Sequence, residues 1–134
     1  MSTNVPAVSA LYAALIGLLA FVLTVRVILN RVKSGVQAGD GGNARLAQAI
    51  RAHGNFAEHA PLALLLIVLA EVVGTPITII HVLGVALLIA RLANAFGLSR
   101  SLGPTMPRQA GAGLTGVVVI ASCLLILYRV LGAH

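Results

Sequence analysis

The chain has 134 residues, of which 59% are hydrophobic and only 9% charged. Soluble globular domains carry about 25% charged residues, so this length and composition describe one integral membrane domain and exclude an ordinary soluble enzyme. Nine Lys/Arg against three acids give a net charge of +6, but the basic residues flank apolar runs without interleaved aromatics, which points to membrane topology and not to nucleic acid.

The first helix is expected over about 6–33. Pro6 suits a first-turn position, and Val8 to Val25 is an uncharged run long enough to span. No basic residue precedes that run, which argues against a cleaved signal peptide. Arg26 and Arg31 follow and either snorkel to the interface or face a cleft. The glycine-rich stretch from Ser34 to Ala44 is the longest loop, and no GKS or GKT follows it to make a phosphate loop. It reads as a connector, with Asp40 or Asn43 capping the next helix.

The second helix, about 44–73, is the one the chain is organised around. Its first half is polar and its second half apolar. At about 100° per residue, Asn55, Glu58 and Leu62 fall within about 40° of Arg51, so Arg51, Asn55 and Glu58 form a ladder on one face. His59 flanks it, while His53 and Glu71 point away. The apolar part from Ala60 to Val73 is about 21 Å long, shorter than the roughly 30 Å hydrocarbon core. Part of the ladder therefore lies at membrane depth, where ionisable groups persist when paired or facing a cavity. The alternative is a structural lock between helices, with Asn55 bonding across an interface. Pro61 interrupts the backbone just beyond the ladder and is expected to kink it.

Gly74 to Pro76 is a turn too short for anything but an antiparallel hairpin. The third helix, about 77–98, carries Arg91 and Asn94 on one face beyond its apolar part. Antiparallel pairing brings these two level with the ladder. His81, alone among apolar neighbours, reads as an interhelical hydrogen bonder. Pro104 and Pro107 interrupt the second basic loop. The fourth helix, about 108–131, holds Gly111, Gly113, Gly116, Ala121 and Ser122, small residues suited to close packing.

The expected fold is all-α: a single integral membrane domain over 1–134, a four-helix bundle running up-down-up-down. The loops after helices one and three hold Arg31, Lys33, Arg45, Arg100 and Arg108, and the turn between helices two and three has no Lys or Arg. The positive-inside rule then puts both basic loops in the cytoplasm and both termini outside. The single cysteine, Cys123, excludes an intramolecular disulfide and a multi-cysteine metal site. The histidines form no HExxH, and His53 and His59 do not share a helix face. No metal site is expected.

The segment RAHGNFAEHAPL, Arg51 to Leu62, resembles the signature R-x-x-x-N-x-x-E-x-x-P of the MAPEG family, the membrane-associated proteins of eicosanoid and glutathione metabolism. Arg51, Asn55, Glu58 and Pro61 match its defined positions. Ala90 to Leu92 resembles the matching part of the family's third helix, and GDGG followed by AIRAHGN resembles a small bacterial branch. The resemblance covers nearly the whole chain. It implies a homotrimer in the bacterial inner membrane, with glutathione as cosubstrate between subunits near the cytoplasmic helix ends. Arg51, Asn55, Glu58, His59, Arg91 and Asn94 are then the binding residues. Glutathione's two carboxylates suit Arg51 and Arg91, and its amino group suits Glu58. An arginine near the sulfur favours the thiolate, the reactive form; Arg31, Arg100 and Arg108 are the candidates. One departure is plain. His59 and the stretch Asn94 to Leu98 stand where the mammalian enzymes carry tyrosines, so no phenol is on hand for the thiol.

Two functions follow as expectations. The first is a glutathione transferase or peroxidase acting on lipophilic electrophiles that arrive from the membrane lipids. The second is a non-catalytic membrane trimer that binds a small anionic thiol or a lipid headgroup. A proton-coupled exporter is disfavoured, because Arg51 beside Glu58 holds the carboxylate ionised.

Overall fold

The structure, a computed structural model, describes residues 5–132. Four helices account for the architecture: α1 (Ala7–Ser34), α2 (Ala44–Val72), α3 (Ile77–Arg100) and α4 (Met106–Leu131). Each is long and apolar enough to cross a membrane. They form an all-α up-down-up-down bundle in which α2 and α3 occupy the centre. The helices α1 and α4 flank this pair and do not touch each other among the described residues.

The central seam explains the order. On α2, Ala52, Phe56, Ala60, Ala63, Ile67 and Ala70 are buried at spacings of three and four, so one stripe faces the bundle. Four of these six are alanines, which lets α3 approach closely where no hydrophobic force drives helices together in lipid. On α4, a Cβ at Gly111 would lie 2.5 Å from the Ala90 carbonyl oxygen and 2.8 Å from the Asn94 amide nitrogen. Only glycine permits that crossing of α3 and α4. Between α1 and α3, the Tyr12 ring lies over Gly84, and its hydroxyl shares a 2.9 Å hydrogen bond with His81 Nδ1. His81 therefore joins two helices.

Helix ends follow local chemistry. Asn43 caps α2, its Oδ1 accepting from the Leu46 amide at 3.0 Å. Gly35 ends α1 in the left-handed conformation at φ 69°. Pro107 sits in the first turn of α4, where its missing N–H leaves nothing unpaired. The α2 helix runs on through Pro61.

One helix start is capped from elsewhere in the chain. No side chain of α1 caps its own N-terminus. Instead Glu71, at the far end of α2, accepts from the Val8 amide at 3.1 Å and the Ser9 amide at 2.6 Å. A carboxylate at a helix N-terminus satisfies orphan donors and complements the positive end of the helix dipole. Glu71 and Ser9 are both buried, so losing the acceptor leaves amides unpaired away from water. Glu71→Ala is expected to destabilise the protein by about 1–3 kcal/mol, with Glu71→Gln recovering part of the loss. Thermal unfolding of the purified variants in one detergent checks this.

Candidate functional site

At the other end of α2 the polar residues divide into two groups. Asn55 turns inward. Arg91 comes down from α3 to meet it, as the antiparallel pairing requires, and Nη2 donates to Asn55 Oδ1 at 2.5 Å and to Asn94 Oδ1 at 3.1 Å. Nη1 donates to the Thr115 hydroxyl of α4 at 3.4 Å. The guanidinium carbon lies 5.8 Å from the centre of the Phe56 ring. Asn94 also ties α3 to the start of α4, its Nδ2 donating to the Arg108 carbonyl at 3.2 Å.

Arg91 is 1% exposed. Its three side-chain acceptors are all neutral, and its Nε is buried without a partner. Among the described residues it makes no ion pair; the pairs present are Arg51–Glu58 and His59–Glu58. A buried cation without an anion is among the costlier arrangements a membrane bundle can hold. The amides and the aromatic face offset only part of that cost.

Arg51 and Glu58 turn outward. They pair at 3.2 Å with side chains 44% and 53% exposed. His59 Nε2 lies 3.9 Å from the other carboxylate oxygen, beyond hydrogen-bond reach. An exposed pair of this kind contributes about 0–1 kcal/mol to stability, too little to account for the arrangement by itself.

Two hollows meet at Glu58. One, of about 320 Å³, lies between α2 and α4; Asn55, Glu58, His59 and Arg91 form its polar walls. Ala112, Thr115, Gly116 and Val119 form its α4 wall, and Leu62 its remaining apolar part. The other, of about 520 Å³, opens beside the loops and is bordered by Asp40, Arg51, Glu58 and Leu102. Arg51 and Arg91 thus stand in adjoining compartments with Glu58 between them. The arrangement suits a guest carrying two anionic groups and one cationic group.

The remaining arginines lie elsewhere. Arg31 Nη1 donates to the carbonyls of Val36 at 3.2 Å and Gly39 at 2.9 Å, closing the first loop. Arg108 does the same for the second loop through Leu102 at 2.8 Å and Gly103 at 3.2 Å. Arg100 stacks on Phe96 at 4.5 Å. None of the three lines the α2–α4 cavity, although the hollow beside Arg108 shares Ala112 with it. Conversely, Thr115 and Gly116 belong to the cavity, and sequence reasoning gave neither a role there. Their signal was present but ambiguous: Ala112, Gly116 and Val119 recur at helical spacing, which reads equally well as packing.

Fold and site together define a four-helix membrane bundle with a buried arginine–amide centre open to a cavity. The matching family model, described as the MAPEG family, covers residues 9–128, and the chain belongs to that family. Among curated proteins it is similar to the inner membrane protein YecN of Escherichia coli strain K12. The two are 39% identical over 95 residues, which is 71% of this chain and 72% of the relative. YecN of Escherichia coli O6:H1 strain CFT073 matches to the same extent.

Arg91 is the donor to the buried Asn55 and Asn94 oxygens, so Arg91→Met is expected to destabilise the unliganded protein by about 1–3 kcal/mol, and Arg91→Lys, which keeps the charge and a donor, by less. Arg91→Met is also expected to lose anion binding. Thermal unfolding without ligand, alongside a binding titration, tests the two halves separately.

Proposed function

We propose that this protein is an integral inner-membrane protein that binds glutathione and conjugates it to, or uses it to reduce, lipophilic electrophiles. The observation that carries the reading is the buried Arg91 guanidinium, unpaired by any carboxylate among the described residues and lining a cavity. Glutathione brings two carboxylates and one ammonium. Arg91 and Arg51 take the carboxylates, Glu58 takes the ammonium, and Asn55, Asn94 and His59 supply neutral hydrogen bonds. In the transfer reaction the thiolate sulfur attacks an electrophilic carbon, a carbon–sulfur bond forms and the leaving group departs with its electron pair. The cation beside the sulfur comes from among Arg31, Arg100 and Arg108. The hollow beside Arg108 shares Ala112 with the cavity.

Depth supports a homotrimer. Counting about 20 residues back from the outer turn brings the hydrocarbon boundary to around residue 53 of α2. Glu58 then lies inside it on an exposed face, with Arg51 reaching in from headgroup level. Such a pair needs cover that one chain does not supply, and neighbouring protomers supply it. Both basic loops face the cytoplasm and both termini the outside, with lipid around the trimer.

A second reading, a non-catalytic trimer that binds a small anionic thiol or a lipid headgroup, is favoured by two observations. Arg31 and Arg108 already spend donors on loop carbonyls, and no tyrosine lines the cavity. Calorimetry in detergent is expected to show glutathione binding to the parent protein. Arg51→Ala removes a charge-assisted contact of about 1.5–3 kcal/mol and is expected to weaken binding about tenfold or more. Absence of binding to the parent protein overturns the proposal. Binding without conjugation of 1-chloro-2,4-dinitrobenzene selects the second reading.

A further inference from the structure

Arg26 has no part in the site described above. It stands on α1, which does not touch α4 among the described residues, and it borders neither of the hollows that meet at Glu58. Its side chain is half-buried, and Nη1 donates across the α1–α3 groove to the Ser99 hydroxyl oxygen. Ser99 in turn donates to the Ala95 carbonyl at 2.5 Å, so toward Arg26 it only accepts. A guanidinium carries five N–H donors. Among the described residues Arg26 spends one of them, on this neutral oxygen, and makes no ion pair. Its Nε and Nη2 are not sealed within the protein. The free donors of this cation therefore face outward, toward whatever surrounds the groove.

Depth says what surrounds it. The helix from Ala7 to Arg26 is about 28 Å long, against a hydrocarbon core of about 30 Å. The guanidinium thus lies at the level of lipid phosphates, on the side of the basic loops. Val22, Asn30 and Lys33 fall within about 40° of Arg26 on α1. Lys33, further out, is an exposed second cation, and Val22, one turn deeper, is 59% exposed. Across the groove, Leu92 and Phe96 lie within about 60° of Ser99 on α3 and are about half exposed. Cations at phosphate level stand over an apolar ridge on the hydrocarbon side. That division matches a phospholipid. A free phosphate leaves the ridge without a partner, and a zwitterionic headgroup brings an ammonium that the cations repel.

We infer that the α1–α3 groove is a binding site for one anionic phospholipid, from the leaflet on the side of the basic loops. Its phosphate sits on the Arg26 guanidinium, whose planar fork suits two oxygens of one phosphate, and an acyl chain lies along Val22, Leu92 and Phe96. Ser99 is the positioning residue: its oxygen, fixed by the bond to Ala95, aims the guanidinium across the groove. Basic pockets between membrane helices hold acidic headgroups in this way. The site is separate from the Arg91 cavity, and it does not depend on the glutathione reading.

The probes are dioleoyl phosphatidylglycerol and dioleoyl phosphatidylcholine, which share their chains and differ in headgroup charge. Native mass spectrometry of the full-length protein in detergent is expected to show the anionic lipid preferred by about fivefold or more, the attraction that one cation near an anionic headgroup supplies. Arg26→Gln keeps a donor for Ser99, removes the charge and loses the preference. Arg129→Gln, which removes a charge at the opposite end of the bundle, keeps it. Ser99→Ala retains an intermediate preference and serves if Arg26→Gln does not fold. No preference in the parent protein, a preference undiminished in both groove variants, or an equal loss in Arg129→Gln overturns the inference. Displacement of the anionic lipid by equimolar glycerol 3-phosphate assigns the groove to a free phosphate ester and also overturns it. So does a glutathione Kd that changes more than threefold in Arg26→Gln, which assigns Arg26 to the thiol site. A parent protein that binds no glutathione but prefers the anionic lipid leaves the inference standing while the glutathione reading falls.

Discussion

The Arg91 guanidinium is the constraint on which the rest of this bundle depends. It is fully charged at any relevant pH and sits within the transmembrane part of α3, 1% exposed. A bundle tolerates such a group only by surrounding it with acceptors. Each central helix and α4 supplies one: Asn55, Asn94 and Thr115. The close crossing at Gly111 is what brings Thr115 within reach, because a larger residue there would push α4 away from Ala90 and Asn94. Packing and polar chemistry are thus one arrangement. The glycine sets the distance between helices, and that distance lets a hydroxyl reach the cation.

This arrangement stops short of neutrality. Asparagine and threonine contribute dipoles, and a carboxylate would contribute a charge. Glu58 borders the same cavity but pairs with Arg51 at its outer rim. A protein selected for stability alone would gain by turning Glu58 inward, or by replacing Arg91 together with Asn55 and Asn94 by well-packed apolar side chains. Holding cations on two sides of one carboxylate is the pattern expected where an anion is to be received, since the attraction for a guest is set by charge left uncompensated in its absence.

Much of this was legible in the sequence. Apolar runs bounded by prolines and glycines locate four helices, and the three-residue turn at Gly74 forces α2 and α3 antiparallel. From that alone Arg91 and Asn94 must come level with Asn55. The wheel was less informative about which way each rung faces. Arg51, Asn55 and Glu58 lie within about 40° of one another, but the α2–α3 seam runs through that sector. Asn55 falls on its buried side, and Arg51 and Glu58 on its open side. A few tens of degrees decide between core and rim, and they depend on how the partner helix packs. The loop arginines were illegible for a different reason. Arg31 and Arg108 bind carbonyls whose direction is set by loop conformation, including left-handed glycines such as Gly39, and spacing carries no record of that.

The two ends of α2 show how burial can make a charge structural or leave it available. Glu71 and Arg91 are both buried ionisable groups in apolar helices, and both lack an ionic partner at salt-bridge distance among the described residues. Glu71 is nonetheless satisfied. Both of its oxygens accept backbone amides that the start of α1 cannot bond internally, and a helix N-terminus carries about half a positive charge. Its role is completed by the chain itself. Arg91 faces side-chain dipoles with no helix end opposed to it, retains an unpartnered Nε, and opens onto a cavity. The same helix therefore carries a charge sealed by its own fold at one end and approaches a charge left open at the other, and the difference lies in whether the compensating group is part of the chain.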